Sequence, residues 1–415
     1  MAGTASPAKM LVPVTENPPA KVRDTGVVAL VKGGMAAFNA KSGELLFLPL
    51  AQARARELAA HIGASLFEGC GAQEVGCGSD DAIRSLAERY VREWGDAATL
   101  YMDARGREIR ILGWSEDAAG AQKRSAKVRE DILALLNNAS PEMKLAFVQE
   151  IAEDKTERHL LLSPASAGAI GGQNGFVCQA CGRLLLPDSP YGFTPPQPGA
   201  NEGEEPLTDI ETPGANTILG LCELLNIDIA YTLKAMLYVA VDASGKPHPA
   251  AAFVRGDYNV SMPKLAAWLS TNAGLHGLRT AEKSELQEMI GEVAGYCGPV
   301  RLPESVAVVC DESVRGSKNT VVGANRTGYH RKGCCHGRDF DAPLADIAQV
   351  SAGIACPCGA GVLEEAVLRE CGFVENGVTQ DVKPLSYRDR DGAHEYPAEL
   401  RGNISIEMLI LAEHS

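Results

Sequence analysis

The 415-residue chain has no apolar run approaching the ~18 residues that a membrane-crossing helix needs. Its opening, MAGTASPAKMLVPVTENPPAK, lacks the apolar centre of a secretory signal. Positive charge is also short: 39 Lys and Arg stand against 53 Asp and Glu, a net charge of −14. Coating nucleic acid nonspecifically requires clustered cations that displace counterions from phosphate, so this balance excludes a general DNA- or RNA-coating protein and leaves room only for a local basic groove. No internal repeat is visible. Neither membrane nor DNA is an expected partner, and the expected location is the cytoplasm.

Cysteine, by contrast, is plentiful at 12 residues. Without a secretory signal these read as thiols, metal ligands or core residues and not as a disulfide framework. A hydrophobic content of 45% with 22% charged residues is that of an ordinary soluble protein, and the length accommodates two or three domains with their own cores.

The clearest punctuation is PDSPYGFTPPQPGANEGEEP at 187–206, where proline, glycine and acid replace apolar periodicity; it is expected to be a linker. Before it, helical periodicity covers 51–64, 80–94 and 125–137, and TLYMDARGREIRILGW reads as a hairpin turning at 104–106. After it come a helix at 216–227, a strand at 232–242 ending in a turn at Ser244 and Gly245, and a strand at 250–257. Helices at 262–271 and 281–290 follow, then strands at 305–313 and 319–326. That order predicts a compact mixed α+β domain over 207–352, between an αβ-like body at 1–186 and a return to that body at 353–415, with a hairpin through YRDRDGAHEYP.

Several cysteines sit in chemically suggestive places. Cys178 and Cys181 form a CQACG knuckle of the kind that supplies two thiolates to zinc, and Cys356 and Cys358 form CPCG just after the second domain. If that domain leaves and returns at one place, the two knuckles meet in a structural zinc site; otherwise they are thiols near a domain junction. In NRTGYHRKGCCHGRDF, Cys334 and Cys335 lie between His330 and His336, which by itself suggests metal or redox chemistry, although a disulfide between neighbouring cysteines is strained. Cys222, Cys297 and Cys310 occupy apolar contexts and read as core packing, while Cys70 and Cys77 fall in a glycine-rich stretch with no clear assignment.

Seven segments in order resemble the editing insertion of bacterial-type prolyl-tRNA synthetases and their free-standing YbaK-like deacylase relatives. They are TPGANTI from Thr212, TLK from Thr232, FVRGDYNVSMPKL from Phe253, GYCGPVRLP from Gly295, VVCDESV from Val308, VGANRTGYH from Val322 and GRDF from Gly337. Any one is weak, but the ordered set over about 130 residues is specific. The flanks resemble the class II synthetase body: LVKGGMAAFNAKSGELLFLPLAQARARELAAHIGA its opening segment, GREIRILGWSED the strand and loop before the second signature, and YRDRDGAHEYPAELRGNISIEMLILAEHS its final strand and helix. Two departures stand out. Between LGWSED and SAGAIGG the long second signature is missing, and GNISIEMLIL has no arginine where the third signature supplies one to the triphosphate. Phosphoryl chemistry depends on such cations, so no ATP use is expected.

The resemblance implies a degenerate class II antiparallel-sheet body carrying an inserted editing domain that hydrolyses mischarged tRNA(Pro), with alanine the default acyl group. It implies that His330 and Asp311 orient the ester and the attacking water or hold the amino group of the bound residue, that Gly295 and Pro299 belong to a GxxxP loop, and that Lys234, Thr217 and Asn325 contact the substrate or the aminoacylated 3′ end of the tRNA. A homodimer, or association with a synthetase, follows from the same likeness. From the residues alone, Lys234 also reads as an exposed lysine on an edge strand and Arg255-Gly256-Asp257 as an internal salt-bridged turn. Two other functions fit the loss of the ATP signatures: a non-catalytic sensor of amino acid or tRNA acting as a protein scaffold, and a zinc or redox regulator.

Overall fold

The computed structural model describes residues 21–415 apart from 40, 43, 71–72, 75–99, 104–107, 116, 152–156, 193–194, 200, 292–294, 378–386, 389–393 and 396–397. The helix expected at 80–94, the hairpin turn at 104–106, Cys77 and the side chain of Cys70 lie outside the described residues. The chain divides into two compact units, residues 1–186 with 364–415, and residues 187–363. Its architecture is mixed α/β with mostly antiparallel sheets.

The first unit is built on a nine-stranded sheet. Its centre is the pairing of Ala398–Ser405 with Glu108–Ser115 on one side and Leu363–Asn376 on the other, all antiparallel. In Ala398–Ser405 the buried residues are Leu400, Gly402 and Ile404, the period-two pattern of a strand with one covered face. Among the described residues, four helices cover that face. Leu58, Ile62 and Leu66 of Pro49–Cys70, and Val128, Ile132 and Leu136 of Ala118–Ala139, repeat every four residues and meet Ile109, Ile111, Leu400 and Ile404 in one core. The helix Thr25–Lys32 is held at its start by Asp24, whose carboxylate accepts from Gly26 N, from Ile170 N and from the fully buried Arg369 (2.7 Å). Tyr387–Arg388 pairs antiparallel with His394–Glu395, the hairpin expected through YRDRDGAHEYP.

In the second unit a five-stranded sheet runs in the order His276–Thr280, Leu233–Val241, Pro247–Arg255, Ala307–Asp311, Leu344–Ala345. Leu233–Val241 and Pro247–Arg255 form a hairpin whose turn is tied by Asp242, which accepts from Ser244 N and Lys246 N, with Gly245 at φ +81° where only glycine sits without strain. The next connection returns parallel, Ala250–Phe253 beside Ala307–Cys310, across the helix Met262–Asn272. That helix starts because Ser261 caps it and Pro263 occupies its first turn, and it buries Leu265 and Leu269 against Tyr238, Ala252 and Val309. On the other face Phe253, Leu233 and Cys310 pack against Val300, Val322 and Cys334. Those last residues belong to the 295–300 loop and to a second, three-stranded sheet ordered Thr208–Glu211, Tyr329–Cys334, Thr320–Gly323.

The segment at 187–206 is not a free linker. Asp188 accepts from Ser261, Pro196 O from Arg255, Gly203 O from Asn319, and Gln197 donates to Ser313 O at 2.9 Å, so the segment is strapped along the second unit. Its composition correctly excluded helix and strand, but backbone groups of an irregular segment still find partners, and here they find them in the unit that follows.

Candidate active site

Leu233–Val241 is an inner strand of its sheet, paired on its second side only from Tyr238 onward, and Lys234 lies opposite Val254, half-buried and not exposed. Its Nζ donates to Tyr258 O (2.8 Å) and to Asn259 Oδ1 (2.9 Å), which fixes the ammonium at the wall of a small cavity of about 100 Å³. Burial lowers its pKa, with Asp257 opposing the shift. Asp257 is itself held by a two-point ion pair with Arg255, the expected salt-bridged turn.

His330 enters the same cavity from Tyr329–Cys334, the middle strand of the three-stranded sheet. It is 5% exposed, and burial pushes its imidazole down to about 4, so it is neutral at physiological pH. Nδ1 lies 2.6 Å from Thr212 Oγ1, and the Tyr296 ring sits 5.3 Å from the imidazole centroid. The Thr212 hydroxyl and backbone both reach Gly328 O, so TPGANTI is laced to the turn before His330. Beyond it Thr217 caps the helix Ile218–Leu225 by accepting from Gly220 N, and Asn216, Ile218 and Leu221 complete that wall.

The third wall is the loop from Gly295 to Val300. Gly295 has φ +79°, and a Cβ there would come within 2.7 Å of the Asn216 side chain. Gly298 and Gly323 are in backbone contact: a Cβ on Gly298 would lie 1.9 Å from Gly323 O. Asn325 locks this arrangement. Its Oδ1 accepts from Gly298 N (2.8 Å), its Nδ2 donates to Val300 O (2.9 Å), and its backbone N–H donates to Tyr296 O (2.9 Å). Between these anchors the N–H groups of Tyr296 and Cys297 have no hydrogen-bond partner among the described residues. Pro299 is buried in the loop and Asn325 stands behind it; neither lines the cavity.

A comparison with protein families matches residues 212–333 to the aminoacyl-tRNA editing domain. The second unit carries an editing domain. Among curated proteins the chain is similar to proline–tRNA ligases: that of Streptococcus mutans is 38% identical over 170 residues, 41% of this chain and 26% of that one. The ligase of Aquifex aeolicus is 29% identical over 281 residues, 63% of this chain and 47% of that one. The chain thus spans between a quarter and a half of the length of these relatives. Among solved structures, a proposed trans-editing enzyme for prolyl tRNA synthetase is 18% identical over 34% of this chain and 86% of that one, with a TM-score of 0.27.

Of the residues singled out from the sequence, Lys234, Thr217, Gly295 and His330 converge on the editing cavity, and Asn325 and Pro299 form its support. Asp311 does not join them. It is 2% exposed and caps a short turn, with Oδ1 accepting from Ser313 N and Oδ2 from Ile347 N and Ala348 N; burial raises its pKa against those bonds. With both oxygens committed to backbone, it braces the 345–348 segment and cannot orient an ester. Cys334 and Cys335 are also elsewhere, buried at 0% and 1%, the first in the core and the second beside Asn319, so they neither line the cavity nor join His330 and His336 in a ligand cluster. The four remaining candidates do meet: the sulfurs of Cys178, Cys181, Cys356 and Cys358 lie within 4.8 Å of one another. Thr212 and Cys297 were missed as site residues, since the Thr212–His330 contact bridges 118 positions and nothing local announces it.

The depressed His330 and the similarly depressed His159, also about 4 through burial and the nearby Arg129, have a measurable consequence. The unfolded chain takes up these protons near pH 6.5 and the folded chain only near 4, so stability falls as pH drops through that window. NMR titration should find the His330 imidazole neutral at pH 5.5, and the urea midpoint should decrease between pH 7 and pH 5 less steeply in His330→Gln than in the parent.

Proposed function

We propose that the protein hydrolyses the ester of mischarged tRNA(Pro), alanine being the first acyl group to test, and that it does not form prolyl-tRNA. The observation that carries this reading is the pinned 295–300 loop, whose Cys297 lines one small cavity together with a neutral His330 and a fixed Lys234 and whose Cys297 N–H has no partner among the described residues. An aminoacyl ester is already activated, so holding it next to a water and stabilising the developing oxyanion with preorganised N–H groups supplies most of what the reaction needs. Lys234 keeps one proton for an oxygen of the tRNA end after donating to Tyr258 and Asn259. The imidazole, held by Thr212, orients water or the ester and does not act as an acid at neutral pH. The cavity's size excludes bulky acyl groups, although a single methylene is worth only ~1–3 kcal/mol, so selection among small residues is limited.

The remaining body supports the loss of ligase chemistry. On its sheet Arg401 pairs with Glu375, and Arg158 lies 3.5–3.8 Å from Glu150, Glu370 and Glu375, so the guanidinium groups there are already matched by carboxylates. The proposed location is the cytoplasm, with tRNA as partner; among the described residues no helix is long and apolar enough to cross a membrane. A homodimer, or association with a synthetase, remains part of this proposal.

Purified protein should release alanine from alanyl-tRNA(Pro) at least ~100-fold faster than background, consistent with the contribution of oxyanion donors. His330→Ala should lose most of that rate, and the same preparation should show no proline-dependent pyrophosphate exchange. A protein inert toward every mischarged tRNA would leave the non-catalytic sensor reading instead.

The four-cysteine cluster supports a structural zinc. Four sulfurs at ~2.3 Å from a tetrahedral ion stand about 3.8 Å apart, inside the 4.8 Å within which all four lie. Metal analysis of protein purified without chelator should find about one zinc per chain, and Cys178→Ser with Cys356→Ser should abolish it; less than about half an equivalent in the parent would count against the site.

A further inference from the structure

We propose, resting on the deacylase reading above, that the editing pocket takes the acyl group without binding its amine as an ammonium, and therefore hydrolyses 2-hydroxyacyl esters of the tRNA 3′ end as readily as aminoacyl esters. A site that recognises an α-ammonium places a carboxylate, or several carbonyl oxygens, against it, because a desolvated cation without a partner is costly. Among the described residues the cavity is lined by no Asp or Glu. Its polar side chains are Asn216, Thr217, Lys234 and His330, and the rest of the lining is apolar, chiefly Ile218, Leu221, Leu237 and Cys297. The charged group present has the wrong sign for an ammonium. Lys234 is anchored by Tyr258 O and Asn259 Oδ1, and Asp311, the carboxylate the sequence suggested for the site, is turned into backbone bonds. Like charges a few ångströms apart in a half-buried site repel by several kcal/mol at an effective dielectric of ~20. The bound substrate is thus the neutral amine, and an OH in its place is accepted equally well.

The reaction is the same for either ester. The oxygen of water bonds to the acyl carbon, the bond from that carbon to the ribose oxygen breaks, and the ribose oxygen takes the proton, releasing alanine or lactate with no redox change.

Among the described residues the titratable side chains facing the cavity are Lys234 from the five-stranded sheet, His330 from the three-stranded sheet and Cys297 from the loop; the helix Ile218–Leu225 contributes none, and Asp257 reaches Lys234 from outside. His330 and Cys297 titrate near 4 and 12, outside the range to be scanned, and Lys234 acts on both esters alike.

The test uses full-length protein and one tRNA(Pro), charged with alanine and, in a second portion, converted to lactyl-tRNA by nitrous acid. Background-corrected kcat/KM is compared from pH 6 to 8. Lactyl ester should be cleaved within about 3-fold of alanyl ester at pH 8. The alanyl rate should rise by about tenfold or more across the range, following an amine of pKa ~8, while the lactyl rate rises much less. Cleavage of alanyl-tRNA with lactyl-tRNA slower by about 30-fold or more, or parallel pH profiles for the two, overturns the inference and leaves the deacylase reading standing. Cleavage of neither overturns both.

Discussion

The editing domain depends on one backbone contact, that between Gly298 and Gly323. No side chain fits there, since a Cβ on either residue would fall about 2 Å from the other segment's backbone. With the two chains touching, the loop's carbonyl and amide groups at 296, 298 and 300 meet Asn325, and a single amide side chain sets the path of the whole turn. Among the described residues the N–H groups of Tyr296 and Cys297 meet no acceptor, which is costly in a free protein and useful where an oxyanion forms. The strand carrying Gly323 also pairs with the strand carrying His330, so the contact places the loop, the imidazole and, through Thr212, the helix cap in one frame.

Much of this was legible in the sequence and some of it was not. The long elements were readable because their burial is periodic: Leu265 and Leu269 on one helix, and the run from Leu233 to Val241 beside the Asp242–Gly245 turn. Lys234, Gly295 and His330 were found through ordered segments that resemble a known domain, and each reaches the cavity. Asp311 misled because a carboxylate after an apolar strand looks the same in sequence whether it faces a substrate or three backbone amides. Cys334 and Cys335 stand near His330 along the chain, but both are buried away from the cavity, Cys334 in the core and Cys335 beside Asn319. The pairing of His330 with Thr212, and the strapping of 187–206 onto the second unit, rest on contacts between distant positions that no local pattern encodes.

The charge distribution fits a division of labour. The sheet of the first unit balances described arginines with glutamates, Arg401 with Glu375 and Glu399 and Arg158 with a surrounding group of acids. The editing cavity, in contrast, keeps a lysine whose charge is steadied by neutral oxygens. The body and the second domain thus present different electrostatic settings, which is what the proposed deacylase without adenylate chemistry requires.

The account stands on a loop held for transition-state stabilisation and not on a catalytic acid or base. The most direct check is the alanyl-tRNA(Pro) deacylation rate of Asn325→Ala, measured alongside its melting temperature. Freeing Gly298 N and Val300 O should cost about 10²-fold in kcat with little change in KM. A folded Asn325→Ala protein that keeps the parent's kcat would contradict it.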